Sequence, residues 1–316
     1  MTLSRRSLIG VAATIGLSSF PNPHVSAQAV PAFTFPMGWN GRVPGDGIII
    51  RHAFDVENTS LYPGWWHTGE NWYLDFVGNS AGAPVYAVAD GTVVFAGSDY
   101  PGRVVVIQHE GRIYSMYGHL DYGLLIGEGD SVARGQLIAR VLDKTDGRSP
   151  SHLHFEIRTF LVESIVNGDN PWYDYACGVQ CPPGPGYWPF YSELLPTQVG
   201  WLNPLHVIYG RAYGSDIPIG AEVIASDSAN ELPVRSTRDS ETTTNVALTP
   251  GERLPLLEIA TGDEATLETG ADAYSIWCKV ELPAGGTGWI PAVRATDEYV
   301  QTDGRAATIR IDLLLE

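Results

Sequence analysis

The chain of 316 residues carries 36 acidic and 19 basic side chains, a formal charge of −17, together with 35 Gly and 22 Pro. That balance excludes a basic nucleic-acid binder, which needs Lys and Arg against phosphate, and the density of Gly and Pro excludes a long helical or coiled-coil architecture. With 44% apolar residues and 9 Trp, 15 Tyr and 9 Phe, the chain is too apolar for disorder throughout, which leaves a turn-rich β protein of about two domains.

In chain order, residues 1–27 read as a signal peptide, with Arg5-Arg6 ahead of an apolar stretch from Leu8 to Leu17 and small residues at Val25-Ser26-Ala27. The paired arginines resemble a twin-arginine signal, and an ordinary signal with a charged start is the alternative. The apolar stretch is shorter than the roughly 20 residues of a membrane span. The expectation is export to the periplasm, cell envelope or exterior, without stable membrane insertion after cleavage. In an oxidising compartment Cys177 and Cys181 could close a small loop, with the pairing left open. Cys278, beside Trp277, is expected to be buried.

Residues 28–47 form a Pro- and Gly-rich extended lead-in. From 48 onward short β-branched runs alternate with Gly-containing turns. Val85-Tyr86-Ala87-Val88 and Thr92-Val93-Val94-Phe95 flank Asp90-Gly91, a strong turn signal between two strands. Runs at 103–109, 112–117, 136–142 and 152–158 complete at least six strands. No sustained helical period interrupts them, so an antiparallel sheet is expected. Residues 161–200 hold too many prolines for regular structure and read as an insertion. Its aromatics (Trp172, Tyr173, Tyr175, Tyr187, Trp188) either line one wall of a groove or form a small core of their own. Residues 209–220 read as a linker, 221–300 as a second β module, and 301–316 as a closing strand or tail.

Histidines carry the chemistry. His152 and His154 in Ser151-His152-Leu153-His154-Phe155-Glu156 are two apart in a strand run, so their Cα atoms stand about 6–7 Å apart on one face. Leu153 and Phe155 then face the core. A metal needs neutral imidazole nitrogens held stiffly at about 2.0–2.1 Å, and a strand can hold them so. His67-Thr68-Gly69 and Tyr117-Gly118-His119-Leu120 supply two further histidines. Glu156 shares a face with His154, either orienting a histidine or pairing with an arginine such as Arg158.

These stretches, with Val85 to Val93, Gly129-Asp130-Ser131-Val132-Ala133-Arg134-Gly135-Gln136 and Leu202-Asn203-Pro204-Leu205, resemble the lysostaphin/LytM-type zinc metallopeptidases across residues 48–208. The resemblance implies an all-β fold, with an antiparallel metallopeptidase core bearing a groove, and hydrolysis of peptide bonds in peptidoglycan. It implies that Zn2+ is held by His67, Asp75 and His154, and that His119 and His152 act beside the metal on water and the oxyanion. The family's aspartate falls four residues after the first histidine, where this chain has Asn71. Asp75, followed by Phe76, is the expected substitute because a carboxylate neutralises zinc charge, and Asn71 through its side-chain oxygen remains the alternative ligand. A degenerate site, in a protein that binds cell wall or regulates another wall hydrolase, is the competing function. In the second module, Glu231-Leu232-Pro233-Val234-Arg235-Ser236 and Gly288-Trp289-Ile290 resemble a small bacterial SH3-like β-barrel, which implies either wall targeting or a packing role.

Overall fold

Short β-branched runs punctuated by glycine turns form an almost entirely β architecture in the computed structural model. It describes residues 31–38, 48–59, 62–74, 79–97, 102–145, 147, 149–161, 186–190, 192–213, 219–224, 231–238, 243–261, 276–300 and 304–315. Residues 1–27, read as a signal peptide, lie outside the described residues, as do Asp75, Trp172, Tyr173, Tyr175, Cys177 and Cys181. The first strands are β1 (Ile48–His52), β2 (Glu57–Asn58), β3 (Tyr62–His67), β4 (Glu70–Tyr73), β5 (Pro84–Tyr86), β6 (Gly91–Gly97), β7 (Arg103–His109), β8 (Ile113–Leu120), β9 (Ser131–Val132), β10 (Leu137–Arg140) and β11 (Leu153–Arg158). There follow β12 (Tyr187–Pro189), a one-turn helix α1 (Pro196–Val199), β13 (Trp201–Leu202) and α2 (Pro204–Tyr213). The C-terminal strands are β14 (Ile219–Val223), β15 (Leu232–Arg235), β16 (Thr243–Leu248), β17 (Arg253–Thr261), β18 (Ile276–Glu281), β19 (Thr287–Val300), β20 (Gly304–Ile309) and β21 (Ile311–Leu315).

Most of these strands join one sheet in the order β21-β14-β17-β18-β19-β20-β1-β4-β11-β8-β7-β6-β9. Its pairings are antiparallel. β11 lies near its middle and is buried at all six positions. Leu153, Phe155 and Ile157 enter a core with Trp72 and Tyr117, which leaves His154 and Glu156 on the opposite side, as strand alternation requires. Cys278 is fully buried, and burial pushes its thiol pKa up.

Three features depart from what the local sequence leads one to expect. β5 and β6 flank the Asp90-Gly91 turn yet do not pair: β5 pairs with β10, and β6 with β7 and β9. The span read as a linker begins inside α2. Asn203 starts this helix, its side-chain oxygen accepting from the His206 amide at 3.2 Å, with Pro204 in the first turn. Leu205, Ile208, Tyr209 and Ala212 form its buried face. Finally, the C-terminal strands continue the main sheet, because β20 pairs with β1 at Ile48↔Ile309, Ile49↔Thr308 and Ile50↔Ala307.

Candidate metal centre

The sheet registers assemble the site. Asn71 on β4 stands directly opposite His52 on β1 and His154 on β11, and His154 stands opposite Gly118 on β8. This row places two histidines and an amide side by side across neighbouring strands. His119 follows Gly118 in the same motif and takes the left-handed backbone conformation, φ 59°, which is uncommon for a non-glycine residue and concentrates at functional sites. His152 precedes β11, and its ring meets that of His119 edge-on with centroids 4.8 Å apart. His67 enters from the end of β3. Its neighbour Gly69 is required for the close approach: a Cβ there would collide with the Phe155 carbonyl oxygen and lie 2.8 Å from Glu156 Cγ.

Hydrogen bonds fix which ring nitrogens carry protons. His67 Nδ1 lies 3.1 Å from the Ala53 carbonyl oxygen, which can only accept, so His67 Nε2 is the nitrogen with a free lone pair. His154 has an acceptor at each nitrogen, Glu156 Oε1 3.0 Å from Nε2 and Asn71 Oδ1 3.2 Å from Nδ1, and the shorter bond, to a carboxylate, favours the proton on Nε2. His67 Nε2 and His154 Nδ1 face each other at 3.1 Å. Two nitrogens bound tetrahedrally at 2.0–2.1 Å to one zinc would be about 3.3 Å apart. The 3.1 Å between His67 Nε2 and His154 Nδ1 is compatible with two ligands of one zinc ion. Among the described residues no group of three His, Cys, Asp or Glu gathers to hold a metal. The third donor in contact is an amide.

Burial favours the neutral form of His67 and His152. The His67 pKa is pushed well below its ordinary value by burial first and then by the neighbouring His52 and His154. Burial, His119 and Lys144 do the same for His152. For Glu156 burial alone would raise the pKa, but hydrogen bonding from His154 and the charge of Arg158 outweigh it, and the net shift is downward. His152 Nδ1 lies 2.8 Å from the Pro150 carbonyl oxygen, so its Nε2 is the free basic nitrogen.

All the sequence-derived candidates that are described thus come together: His67, Asn71 and His154 share one point, with His119 and His152 beside it. Asp75 lies outside the described residues. Three neighbours carry no local signal. His52 stacks on His67 with centroids 3.9 Å apart, Tyr73 places its hydroxyl 2.9 Å from His152 Nδ1, and Tyr187 places its hydroxyl 3.4 Å from His52 Nδ1. They arrive through the β1–β4 and β3–β12 pairings, so no spacing motif could mark them. Of the insertion's aromatics that are described, Tyr187 borders the site, whereas Trp188 joins the main core against Trp201 with centroids 5.5 Å apart.

A model of peptidase family M23 matches residues 73–169, a span that includes Asp75, His119, His152 and His154 and begins after His67 and Asn71. Murein hydrolase activator NlpD of Salmonella dublin is 39% identical over 142 residues, 44% of this chain and 33% of that protein. Lipoprotein NlpD of Yersinia enterocolitica is 38% identical over 84 residues, 26% of this chain and 84% of that protein. Peptidoglycan DD-endopeptidase ShyB of Vibrio cholerae is 40% identical over 77 residues, 24% of this chain and 18% of that protein. The chain therefore spans about a third of the Salmonella protein and under a fifth of the Vibrio one.

Proposed function

This chain belongs to peptidase family M23, and from that premise we propose that it is an exported zinc metalloendopeptidase hydrolysing peptide bonds of peptidoglycan. The observation that carries the reading is the pair of imidazole nitrogens, His67 Nε2 and His154 Nδ1, facing each other at 3.1 Å. The neutral His152 lies beside them. Export is supported by the signal-like residues 1–27. A relative bearing the name of a peptidoglycan endopeptidase supports the substrate.

His67 and His154 would supply two ligands to zinc, with the Asp75 carboxylate as the proposed third. A carboxylate offsets zinc charge as an amide cannot, and the span matched by the family model includes Asp75. Zinc held there would supply Lewis acidity, bringing the pKa of a bound water to about 7 and polarising a scissile carbonyl. His152, neutral and with its Nδ1 proton held by Pro150, accepts a proton from the attacking water at Nε2. His119, edge-on to His152, faces the oxyanion that develops on the carbonyl.

A second reading rests on Asn71, whose oxygen reaches His154. If Asn71 is the third donor, the ligand set is uncharged and holds metal weakly. The chain then binds wall or regulates another hydrolase, in keeping with a relative named as an activator. Metal analysis of Asn71→Ala and Asp75→Ala separates the two. Asp75→Ala is expected to lose zinc and Asn71→Ala to keep it, whereas the reverse pattern moves the site to Asn71 and favours the regulatory reading.

A further inference from the structure

Glu156 is buried completely and gathers donors from three separate motifs. Its Oε1 accepts from Thr68 Oγ1 at 2.7 Å and lies 3.0 Å from His154 Nε2. Its Oε2 accepts from Trp201 Nε1 at 2.9 Å and from Arg158 Nη1 at 3.5 Å. Thr68 belongs to the His67-Thr68-Gly69 turn, and Trp201 to the strand that leads into Asn203 and α2. A buried carboxylate needs this many donors to stay ionised, yet Arg158, Trp201 and Thr68 already supply three without His154.

The histidine bond is therefore the informative one. A neutral imidazole has two tautomers, and the partner of one nitrogen decides which lone pair is free. The two facing histidines present opposite nitrogens, Nε2 of His67 and Nδ1 of His154; Asn71 Oδ1 also lies 3.2 Å from that Nδ1, so Glu156 and Asn71 compete for the single proton of the neutral ring. The Ala53 carbonyl sets the first. We propose that Glu156 is a positioning residue for the metal centre: by accepting the Nε2 proton of His154 it holds that ring in the tautomer whose Nδ1 lone pair meets His67. Thr68 acts one bond further out, holding the Glu156 oxygen that receives His154. This explains why the turn after His67, the His154-Phe155-Glu156 run and Trp201 come together, since one carboxylate ties them. The proposal rests on the zinc reading above for its purpose, but the tautomer itself is a property of the metal-free protein.

The test uses the whole chain after residue 27 and two readouts. Long-range 1H–15N correlation spectra of the metal-free protein near neutral pH should find His154 protonated at Nε2. Zinc affinity, measured by competition with a chromophoric chelator, should fall about 10–100-fold in Glu156→Gln, the loss typical of such outer partners. Thr68→Val should weaken zinc a few-fold with little change in the thermal midpoint. A Glu156 that only stabilised the fold would lower the melting temperature and leave the affinity of the folded protein alone. His154 protonated at Nδ1 in the wild type overturns the proposal. So does unchanged zinc affinity in a folded Glu156→Gln or, where that variant does not fold, in Thr68→Val. A wild-type protein that takes up no zinc would sink the metal reading instead, and the tautomer would still decide the role of Glu156.

Discussion

At the scale of single residues, the site depends on one missing side chain as much as on those present. Gly69 lets the His67 turn close onto β11, where an added Cβ would meet the Phe155 carbonyl and sit 2.8 Å from Glu156 Cγ and 3.1 Å from His154 Cε1. Backbone cannot yield as a flexible side chain can. Gly69→Ala should therefore cost about 1–3 kcal/mol in urea unfolding and reduce zinc content, because the strain falls on His154 itself. Wild-type stability with full zinc content would show that the turn closes less tightly. The residues legible from sequence were those in compact motifs, His67, His119, His152 and His154, whose types and spacing predict a metal site. His52 was not legible, because it reaches His67 only through the β1–β4 pairing, and Tyr73 looks like any strand aromatic until its hydroxyl is seen against His152. The ligand that the motif leaves ambiguous, Asn71 or Asp75, stays ambiguous in sequence for a physical reason. Local spacing fixes neither which of them the strand turns towards His154 nor where the strand ends.

At the scale of elements, buried polar chains link strands that the hydrophobic pattern alone would leave free to slip. His109, at the end of β7, has Nδ1 2.8 Å from the Asp90 carbonyl oxygen and Nε2 2.7 Å from Ser115 Oγ on β8. Ser115 in turn lies 3.0 Å from the Tyr117 hydroxyl, which accepts from the Val88 amide at 2.9 Å. Burial, more than any neighbouring charge, lowers the His109 pKa to about 4 from 6.5. Between those two values the unfolded chain takes up a proton that the folded chain refuses. Stability from this group is complete above about pH 6.5 and falls as pH drops toward 4, by on the order of 3 kcal/mol. Urea midpoints at pH 7, 5.5 and 4.5 should decline less steeply for His109→Gln than for the wild type, and parallel curves would contradict the assignment. Elements also limit what sequence can say. The Asp90-Gly91 turn was visible, but that β5 and β6 join different partners was not, since a turn fixes a reversal of direction and not a pairing.

At the scale of the molecule, the sequence predicts two β modules separated by a linker, and the fold joins them through the sheet. β1, with Ile48, Ile49 and Ile50 all buried, lies between β4 and β20, and Tyr209 of α2 donates its hydroxyl to the Ile311 carbonyl at 2.6 Å. A single hydrophobic cluster runs from Phe33 to Leu313. Removing residues 214–316 would bare β1 as a long apolar edge strand, an open template for aggregation. The truncated chain is expected to lose cooperative unfolding and solubility, and a soluble, cooperatively unfolding fragment would show that the first module stands alone. The formal charge of −17 gives no long-range attraction to an anionic wall, so on the proposed function binding to the wall would rest on specific contacts in the groove or the C-terminal module. Among the described residues no helix is long and apolar enough to cross a membrane. The central claim is that the facing His67 and His154 nitrogens serve peptide-bond hydrolysis, with His152 as the base. The most direct test is to incubate purified peptidoglycan with the zinc-loaded chain and assay newly freed amino groups. Release that stops with chelator, returns with zinc and is lost in His152→Ala is the predicted result, and intact peptidoglycan at high concentrations of a fully zinc-loaded protein would contradict it.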